Sequence, residues 1–254
     1  YVGLGYDGDK WLTDFYQFDP DKNNWYRRAD FPGAGRSSAV AFTVNGKGYV
    51  GTGYDGTNYR KDFYEYDPST DSWTQIADYA GTARFQATAF SIENLGYVGT
   101  GYDGNYLKDI FAYDPLTNTW IQRASYSGDK LINAFSFSID GRGYLGGGMN
   151  NGVLNHEMWE YDPLNDIWLE KNDLLDDDDD EDENDEGYSI ARVLAVSFVM
   201  GGKGYVTLGT RSGVNSEIWE YNPSLDNWEQ LNSFEGAARE ASVGFAIGNK
   251  GYIC

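Results

Sequence analysis

The feature that most constrains this sequence is an internal repeat of about 48 residues. The string Tyr-Val-Gly-x-Gly, or a close variant, recurs at spacings of 48, 48, 47 and 61 residues, starting at Tyr1, Tyr49, Tyr97, Tyr144 and Tyr205. Each unit also has an aromatic-Asp-Pro or Tyr-Asn-Pro step, a Trp five residues after that proline, and a Gly before the next Tyr. This register defines the repeats 1–48, 49–96, 97–143, 144–204 and 205–251.

Alternating hydrophobicity and turn residues predict four short strands in each repeat. Around the second repeat, strand A is expected at 86–92 (38–44 in the copy before it), strand B at 49–53, strand C at 63–67 and strand D at 73–78. Pro68 should end strand C, because proline donates no hydrogen bond to a ladder. No stretch has a convincing helical period, so no long helix is expected.

Strand A alternates small and bulky residues, as in Val40-Ala-Phe-Thr-Val44. Such alternation suits packing that narrows towards an axis, so strand A is expected to be innermost. Four strands in about 48 residues, repeated around an axis, form a β-propeller blade. The sequence therefore predicts an all-β chain: a β-propeller with five four-stranded antiparallel blades, and six blades as an option for a longer parent protein.

These motifs resemble those of kelch-repeat propellers, the superfamily that includes the galactose-oxidase-like propellers. The resemblance lies in the Gly-rich end of strand B, the Tyr-Asp-Pro step and the Trp seven residues after that Tyr. It extends over essentially all of residues 1–254 and implies a single kelch-type propeller. The adjacent glycines usual in the family are replaced by Gly-Thr-Gly in two repeats. Acidic, Tyr- and Gly-rich arrays of this style resemble bacterial surface or periplasmic lipoproteins, so we expect the cell envelope as the location.

Composition excludes several classes of function. The 40 Asp and Glu residues outnumber the 19 Lys and Arg residues, for a net charge of −21, which disfavours nucleic acid as a partner. No apolar run is long enough to insert into a membrane. With Cys254 as the single cysteine and His156 as the single histidine, neither a disulfide nor galactose-oxidase copper chemistry is expected. We name no catalytic residues and expect no metal site and no cofactor, but the 40 acidic residues leave carboxylate-pair glycosidase chemistry open.

Three recurring motifs are interpreted as structural. Segments that start at Gly3, Gly51 and Gly99 match the dinucleotide fingerprint G-x-G-x-x-G, but a loop and a strand follow them instead of the required helix. The Trp of each unit is expected to pack between blades. The Asp that precedes the proline is expected to cap the turn between strands C and D; these residues are Asp67, Asp114 and Asp162.

Strand parity places the B–C and D–A loops on one face, and their greater length and variety favour this face for function. An arginine stands 12 residues before the last Gly of four repeats, and the third repeat has Leu131 there with Lys130 beside it. Expected at the mouth of a central channel are Arg36, Arg84, Arg192, Arg239 and Lys130. Further candidates on the B–C loops are Asp7, Asp55, Asp103, Tyr6, Tyr54 and Tyr102.

Two interpretations of the arginines stay open. Each can be structural, paired with a carboxylate or carbonyl of the next blade, or all can face a ligand. In some kelch domains that capture acidic peptides, and in a propeller family that isomerises sialic acids, arginines at this mouth grip carboxylates. The resemblance therefore implies an anionic small ligand or a protein at the channel mouth.

The fourth repeat is longer because of an acidic insert at 174–187. Its segment 176–186 has ten acidic residues among eleven, which predicts an extended, solvated loop. Taken together, the sequence predicts a non-catalytic ligand-binding, protein-binding or scaffold propeller. The alternative is an enzyme that acts on an anionic sugar, similar to a sialic acid epimerase or mutarotase.

Overall fold

The structure, a computed structural model, describes residues 1–174 and 189–254. These residues form strands, turns and loops without any helix. In this part of the chain there is accordingly no helix that could cross a membrane. The predicted solvated loop at 176–186 lies outside the described residues. The chain divides into two compact units, Tyr1–Arg123 and Ala124–Cys254.

The first unit holds three antiparallel sheets, each with its strands in chain order. The first sheet, blade 1, has three strands: β1 (Val2–Gly3), β2 (Phe15–Asp19) and β3 (Asn24–Arg27). Blade 2 has four strands: β4 (Val40–Val44), β5 (Lys47–Gly51), β6 (Phe63–Asp67) and β7 (Ser72–Ile76). Blade 3 also has four strands: β8 (Thr88–Ile92), β9 (Leu95–Gly99), β10 (Ile110–Asp114) and β11 (Thr119–Arg123).

The described part of the second unit holds two four-stranded antiparallel sheets and two hairpins. Blade 4 consists of β12 (Phe135–Ile139), β13 (Arg142–Gly146), β16 (Met158–Asp162) and β17 (Ile167–Glu170). A small hairpin between its second and third strands is formed by β14 (Met149–Asn150) and β15 (Val153–Leu154). Blade 5 consists of β18 (Val196–Met200), β19 (Lys203–Thr207), β20 (Ile218–Asn222) and β21 (Asn227–Leu231). The last hairpin is formed by β22 (Gly244–Ile247) and β23 (Lys250–Ile253).

Each strand position A to D recurs five times in these sheets, and β23 is an additional strand B. The predicted all-β class, with five four-stranded antiparallel blades of a β-propeller, is confirmed. A blade does not coincide with a sequence repeat, since β4 at the end of one repeat pairs with β5 of the next. Strand B ends at Gly51, two residues earlier than predicted, because Thr52 and Gly53 have φ values of 57° and 94° and turn the chain away.

The bulky side chains of strand A point into the core of the blade. In β4 the side chains of Val40, Phe42 and Val44 are buried, whereas Ala41 and Thr43 are exposed. Strand A is the edge strand of its sheet, and within each unit it contacts strand A of the next blade: β4 contacts β8, and β12 contacts β18. Close approach of neighbouring A strands explains the need for one face of small residues.

The Trp that recurs in each repeat contacts the neighbouring blade, as predicted. The indole Nε1 of Trp73 in β7 donates to the carbonyl oxygen of Ala29 at 2.9 Å, just after the last strand of blade 1. Trp120 repeats this contact with Ala77 at 3.1 Å. The predicted turn caps are also confirmed, since the carboxylates before the prolines accept backbone N–H groups two residues on, at 2.8–2.9 Å for Asp67, Asp114 and Asp162.

Candidate functional site

Three of the four candidate arginines are completely buried and paired with carboxylates. Arg84 forms a two-pronged pair with Asp109, in which Nη1 lies 2.6 Å from Oδ1 and Nη2 lies 2.8 Å from Oδ2. Arg36 pairs with Asp62 in the same way, at 2.7 and 2.8 Å. In blade 5 the Nη2 of Arg192 donates to Glu217 at 2.8 Å. Each carboxylate belongs to the residue just before strand C of the same blade.

Backbone carbonyls and aromatic rings complete these arginine sites. The Nη1 of Arg84 also donates to the carbonyl of Thr100, directly after strand B, at 2.9 Å, and its guanidinium lies 4.9 Å from the ring centre of Tyr79. Arg36 lies at the same distance from the ring centre of Phe31. These arginines thus tie the start of strand A to the loop before strand C. This is the geometry of the structural alternative rather than that of a free guanidinium, but each partner carboxylate lies in the same blade and not in the next one.

Pairing with an arginine lowers the pKa of the partner carboxylate. Burial disfavours ionisation of Asp62, but the hydrogen bonds and charge of the Arg36 guanidinium outweigh burial and hold the pKa of Asp62 below its ordinary value. For Glu217, burial is likewise outweighed by the Trp219 indole and the Arg192 guanidinium, and its pKa is lowered. The pairs are therefore ionic at neutral pH.

The two remaining cationic candidates are exposed. Arg239 directs its Nε at the carbonyl of Ala237 at 3.1 Å, and its guanidinium lies 5.7 Å from the ring centre of Phe234. Neither Arg239 nor Lys130 forms a salt bridge with any residue that the structure describes. These two side chains are thus accessible, in contrast to the three buried arginines.

The candidate aspartates of the B–C loops shape their own turns. The Oδ1 of Asp7 accepts the N–H groups of Lys10 and Asp9 at 2.8 and 2.9 Å, and these bonds lower the pKa of Asp7. Asp55 caps the next loop in the same way and pairs with Arg60. Asp103 accepts the N–H of Asn105 at 3.0 Å. These carboxylates therefore hold the loops that carry the candidate tyrosines in fixed conformations.

Seven aromatic rings, six on the B–C loops and one on a D–A loop, make one continuous series of contacts in the first unit. We call this series the aromatic row; its members are Tyr6, Trp11, Tyr54, Tyr59, Phe85, Tyr102 and Tyr106. The ring centres of successive members are separated by 4.7, 5.9, 5.8, 4.8, 6.0 and 5.4 Å. Tyr59 and Phe85 stack with an interplanar angle of 12°. The structure thus brings the three candidate tyrosines into one surface that spans three blades.

Isolated β-bridges in the loops create the aromatic row. Tyr54 bridges to Tyr59, and Tyr102 bridges both to Tyr106 in its own loop and to Phe85, which directly follows Arg84. The sequence analysis missed four members, namely Trp11, Tyr59, Phe85 and Tyr106. A signal for three of them exists, since an aromatic residue follows each loop tyrosine after four or five positions.

The aromatic row is accessible and held in place. Tyr6 is 50% exposed, and the other six rings are partly exposed. The hydroxyls of Tyr6 and Tyr54 donate to the carbonyls of Gly8 and Gly56 at 2.8 and 2.7 Å, which fixes their ring orientation. In the second unit the equivalent bridging positions are Met149 in blade 4 and Thr210 in blade 5, so among the described residues the row is confined to the first unit. Rings already fixed in this way lose little conformational entropy on binding.

Among the described residues no group of three or more His, Cys, Asp and Glu side chains is arranged to hold a metal ion. The aromatic row itself offers apolar and aromatic contact.

Comparison with known proteins gives the family. No curated protein matches the chain. A solved structure titled "Structure of YjhT" is similar in fold, with a TM-score of 0.66 and 19% sequence identity over 84% of this chain and 70% of that chain. The family model described as the KLHDC2/KLHL20/DRC7 Kelch-repeats domain matches residues 1–139, which is more than half of the chain. With the blade architecture already described, this match shows that the chain belongs to the kelch-repeat family.

Proposed function

We propose that this chain is a non-catalytic binding module whose aromatic row docks a partner protein. A kelch propeller supports a binding or scaffold role in general. The observation that carries the specific proposal is the unbroken contact of seven partly exposed rings, from Tyr6 to Tyr106, over the loops of three blades. Tyr, Trp and Phe are enriched at protein interfaces because each ring buries a large area for few rotatable bonds.

The charge around the row favours a partner with a basic rim. The net charge of the chain is −21, and the loops at 6–14, 54–62 and 102–109 carry seven Asp against four Lys or Arg. Complementary charge at the edge of an interface speeds association and selects among partners, while the central aromatic contacts supply most of the affinity. We therefore expect an apolar or aromatic patch on the partner, with Lys or Arg around it.

The arginine geometry lends no support to the alternative of an enzyme acting on an anionic sugar. That activity would use free guanidinium groups to grip a carboxylate. Arg36, Arg84 and Arg192 are instead buried against carboxylates of their own blades. A substrate carboxylate would have to displace an existing ionic partner in each of these sites.

The test compares partner capture by the wild-type chain and by a Tyr59→Ala/Tyr106→Ala variant. Tyr26→Ala is the matched control, because Tyr26 is an exposed tyrosine on β3 outside the row. Proteins enriched by the immobilised chain would be identified by mass spectrometry, and the leading partner would then be titrated by calorimetry. Far-ultraviolet circular dichroism would check that each variant is folded.

We expect the row variant to weaken binding by about 30-fold or more, since truncating an interface aromatic at a hot spot costs about 2 kcal/mol. The Tyr26→Ala control should bind as tightly as the wild type. Equal affinity of the row variant and the wild type for every enriched protein would contradict the proposal.

A further inference from the structure

The arginine site of blade 4 has every component except its arginine. In blades 2 and 3 an aromatic ring, an arginine and a carboxylate recur as Phe31, Arg36 and Asp62, and as Tyr79, Arg84 and Asp109. The corresponding residues of blade 4 are Tyr126, Leu131 and Glu157. Tyr126 and Leu131 are fully buried, so the ring and the carboxylate remain while the guanidinium is missing.

The Glu157 carboxylate has hydrogen-bond donors but no cation. Its Oε2 accepts the indole N–H of Trp159 and the backbone N–H of Asp129, both at 3.3 Å. It forms no salt bridge with a Lys or Arg of the described residues. In blade 5 the equivalent Glu217 also accepts an indole N–H, from Trp219 at 3.2 Å, and in addition pairs with Arg192. A nitrogen of Arg211 lies 3.8 Å from the other carboxylate oxygen of Glu217, so the two blades differ by two positive charges beside the same carboxylate.

Another side chain has taken over the backbone contact of the missing arginine. Elsewhere the arginine Nη1 donates to the carbonyl of the residue just after strand B, as Arg192 does to Leu208 at 3.2 Å. In blade 4 the Nδ2 of Asn155 donates to the equivalent carbonyl of Gly147 at 3.3 Å. The structural role of the arginine is therefore filled, while its ionic role is not.

A cavity of about 480 Å³ opens beside Glu157. Its wall includes the carboxylate-bearing residues Glu157 and Asp129, and the β14–β15 hairpin contributes Val153 and Leu154. None of its lining residues is a Lys or an Arg. The imidazole of His156, also in the wall, has a buried Nδ1 with no hydrogen-bond partner among the described residues. The cavity thus combines negative charge with an apolar flank.

We propose that this cavity binds the guanidinium group of an arginine side chain of a peptide or protein partner. The carboxylate of Glu157 would pair with the guanidinium, as Asp62, Asp109 and Glu217 pair with arginines of the chain itself. Val153 and Leu154 would contact the aliphatic stem of the ligand. A guanidinium fits better than an ammonium because its planar fork makes two parallel hydrogen bonds to one carboxylate. The site is independent of the aromatic row.

The test uses N-acetyl-arginine amide as the probe and N-acetyl-citrulline amide as its neutral counterpart of the same shape. Binding would be followed by chemical-shift changes in NMR spectra of the full chain. Glu157→Gln removes the charge and keeps an oxygen acceptor for the Trp159 indole. Glu170→Gln is the matched control, since Glu170 is an exposed glutamate on β17 of the same blade.

We expect the arginine probe to bind the wild type and the Glu170→Gln control equally, and the citrulline probe not to bind. Glu157→Gln should weaken binding of the arginine probe by about tenfold or more, because a charge-assisted pair is lost. Absence of binding to the wild type, equal binding of citrulline, or unchanged binding by Glu157→Gln would each overturn the proposal.

A second variant tests the same proposal by adding the missing arginine instead of removing the carboxylate. Leu131→Arg places a guanidinium of the chain itself where the other blades have one. We expect it to pair with Glu157 and to abolish binding of the arginine probe while the thermal midpoint stays at or above that of the wild type. Tight probe binding by a folded Leu131→Arg chain would contradict the proposal; if this variant does not fold, the Glu157→Gln comparison decides.

Discussion

Arg84 and Asp109 form a buried two-pronged ion pair that joins the start of strand A to the loop before strand C in blade 3. The Arg84 side chain is completely buried, whereas that of Asp109 is 27% exposed. The remaining arginine N–H groups donate to the carbonyl of Thr82 at 3.1 Å, the carbonyl of Thr100 at 2.9 Å and the hydroxyl of Thr82 at 3.1 Å. The desolvation cost of the guanidinium is thus offset by a carboxylate, two carbonyls and a hydroxyl.

Replacement of this arginine should destabilise the fold. We expect Arg84→Met to lower the free energy of unfolding by about 3 kcal/mol, because Asp109 would lose its cation, although its partial exposure to water moderates the cost. Denaturant unfolding followed by tryptophan fluorescence measures the effect. Arg27→Met, which breaks an exposed pair with Asp30, should change stability little. Equal effects of the two substitutions would show that the buried ion pair contributes no more to stability than the exposed one.

Low pH should lower the free energy of unfolding, because it protonates the carboxylates of the same ion pairs. The pKa of Asp62 is lower in the folded chain than its ordinary value, so its contribution to stability is present above about pH 4 and is lost as pH falls through the folded-state pKa. We expect Asp62→Asn to be less stable than the wild type at pH 7, with the difference shrinking towards pH 2.5. Unfolding free energies across this range measure it. The control Glu93→Gln changes an exposed carboxylate after β8; a similar pH profile for both variants would refute this account.

The sequence alone predicts the blades because their signals are local and repeated. The alternation of Val40, Phe42 and Val44 with small residues sets the buried face of strand A, and the register of Trp73 and Trp120 indicates a packing role. Five copies in one register make these inferences firm. Strand ends are less predictable, since the turn at Thr52 depends on a positive φ that a threonine rarely adopts.

The site is less predictable because its contacts join distant segments. The sequence places arginines at the start of strand A, but their partners lie 25 residues further on for Arg84 and 26 for Arg36. That spacing recurs and is a signal that could have identified the pairs. The contact between Tyr59 and Phe85 has no such signal, because it depends on how one loop meets the beginning of the next strand A.

The indole hydrogen bond between blades should be measurable. Trp73→Phe removes the bond to the Ala29 carbonyl, whereas the Nε1 of Trp228 is buried and has no hydrogen-bond partner among the described residues. Only Trp73→Phe gives up a hydrogen bond, whereas Trp228→Phe removes a buried N–H that has no partner in the described part of the chain, so we expect Trp73→Phe to cost about 1 kcal/mol more in unfolding free energy than Trp228→Phe. Denaturant titration followed by circular dichroism gives both values. A larger loss for Trp228→Phe would contradict the assignment.

Alanine substitutions at two glycines of one loop distinguish the cost of backbone strain from the cost of steric overlap. Gly101 and Gly104 both have positive φ, 92° and 115°, so an alanine at either position pays a similar conformational cost of about 1–2 kcal/mol. A Cβ at Gly101 would lie 2.8 Å from the carbonyl oxygen of Phe85 and 3.0 Å from the backbone of Ala87, whereas nothing lies within 4 Å of a Cβ at Gly104. Phe85 is held by its β-bridge to Tyr102 and Ala87 directly precedes β8, so these backbone atoms cannot move aside cheaply.

We therefore expect Gly101→Ala to be the more destabilising of the two substitutions by about 1–3 kcal/mol, the usual cost of overpacking. Because Phe85 belongs to the aromatic row, Gly101→Ala should also weaken partner binding, while Gly104→Ala should leave it nearly unchanged. Thermal unfolding and calorimetric titration of the two variants give both comparisons. Equal stabilities would mean that the loop relaxes around the new methyl group; unaltered partner affinity in a destabilised Gly101→Ala chain would separate Phe85 from the binding surface.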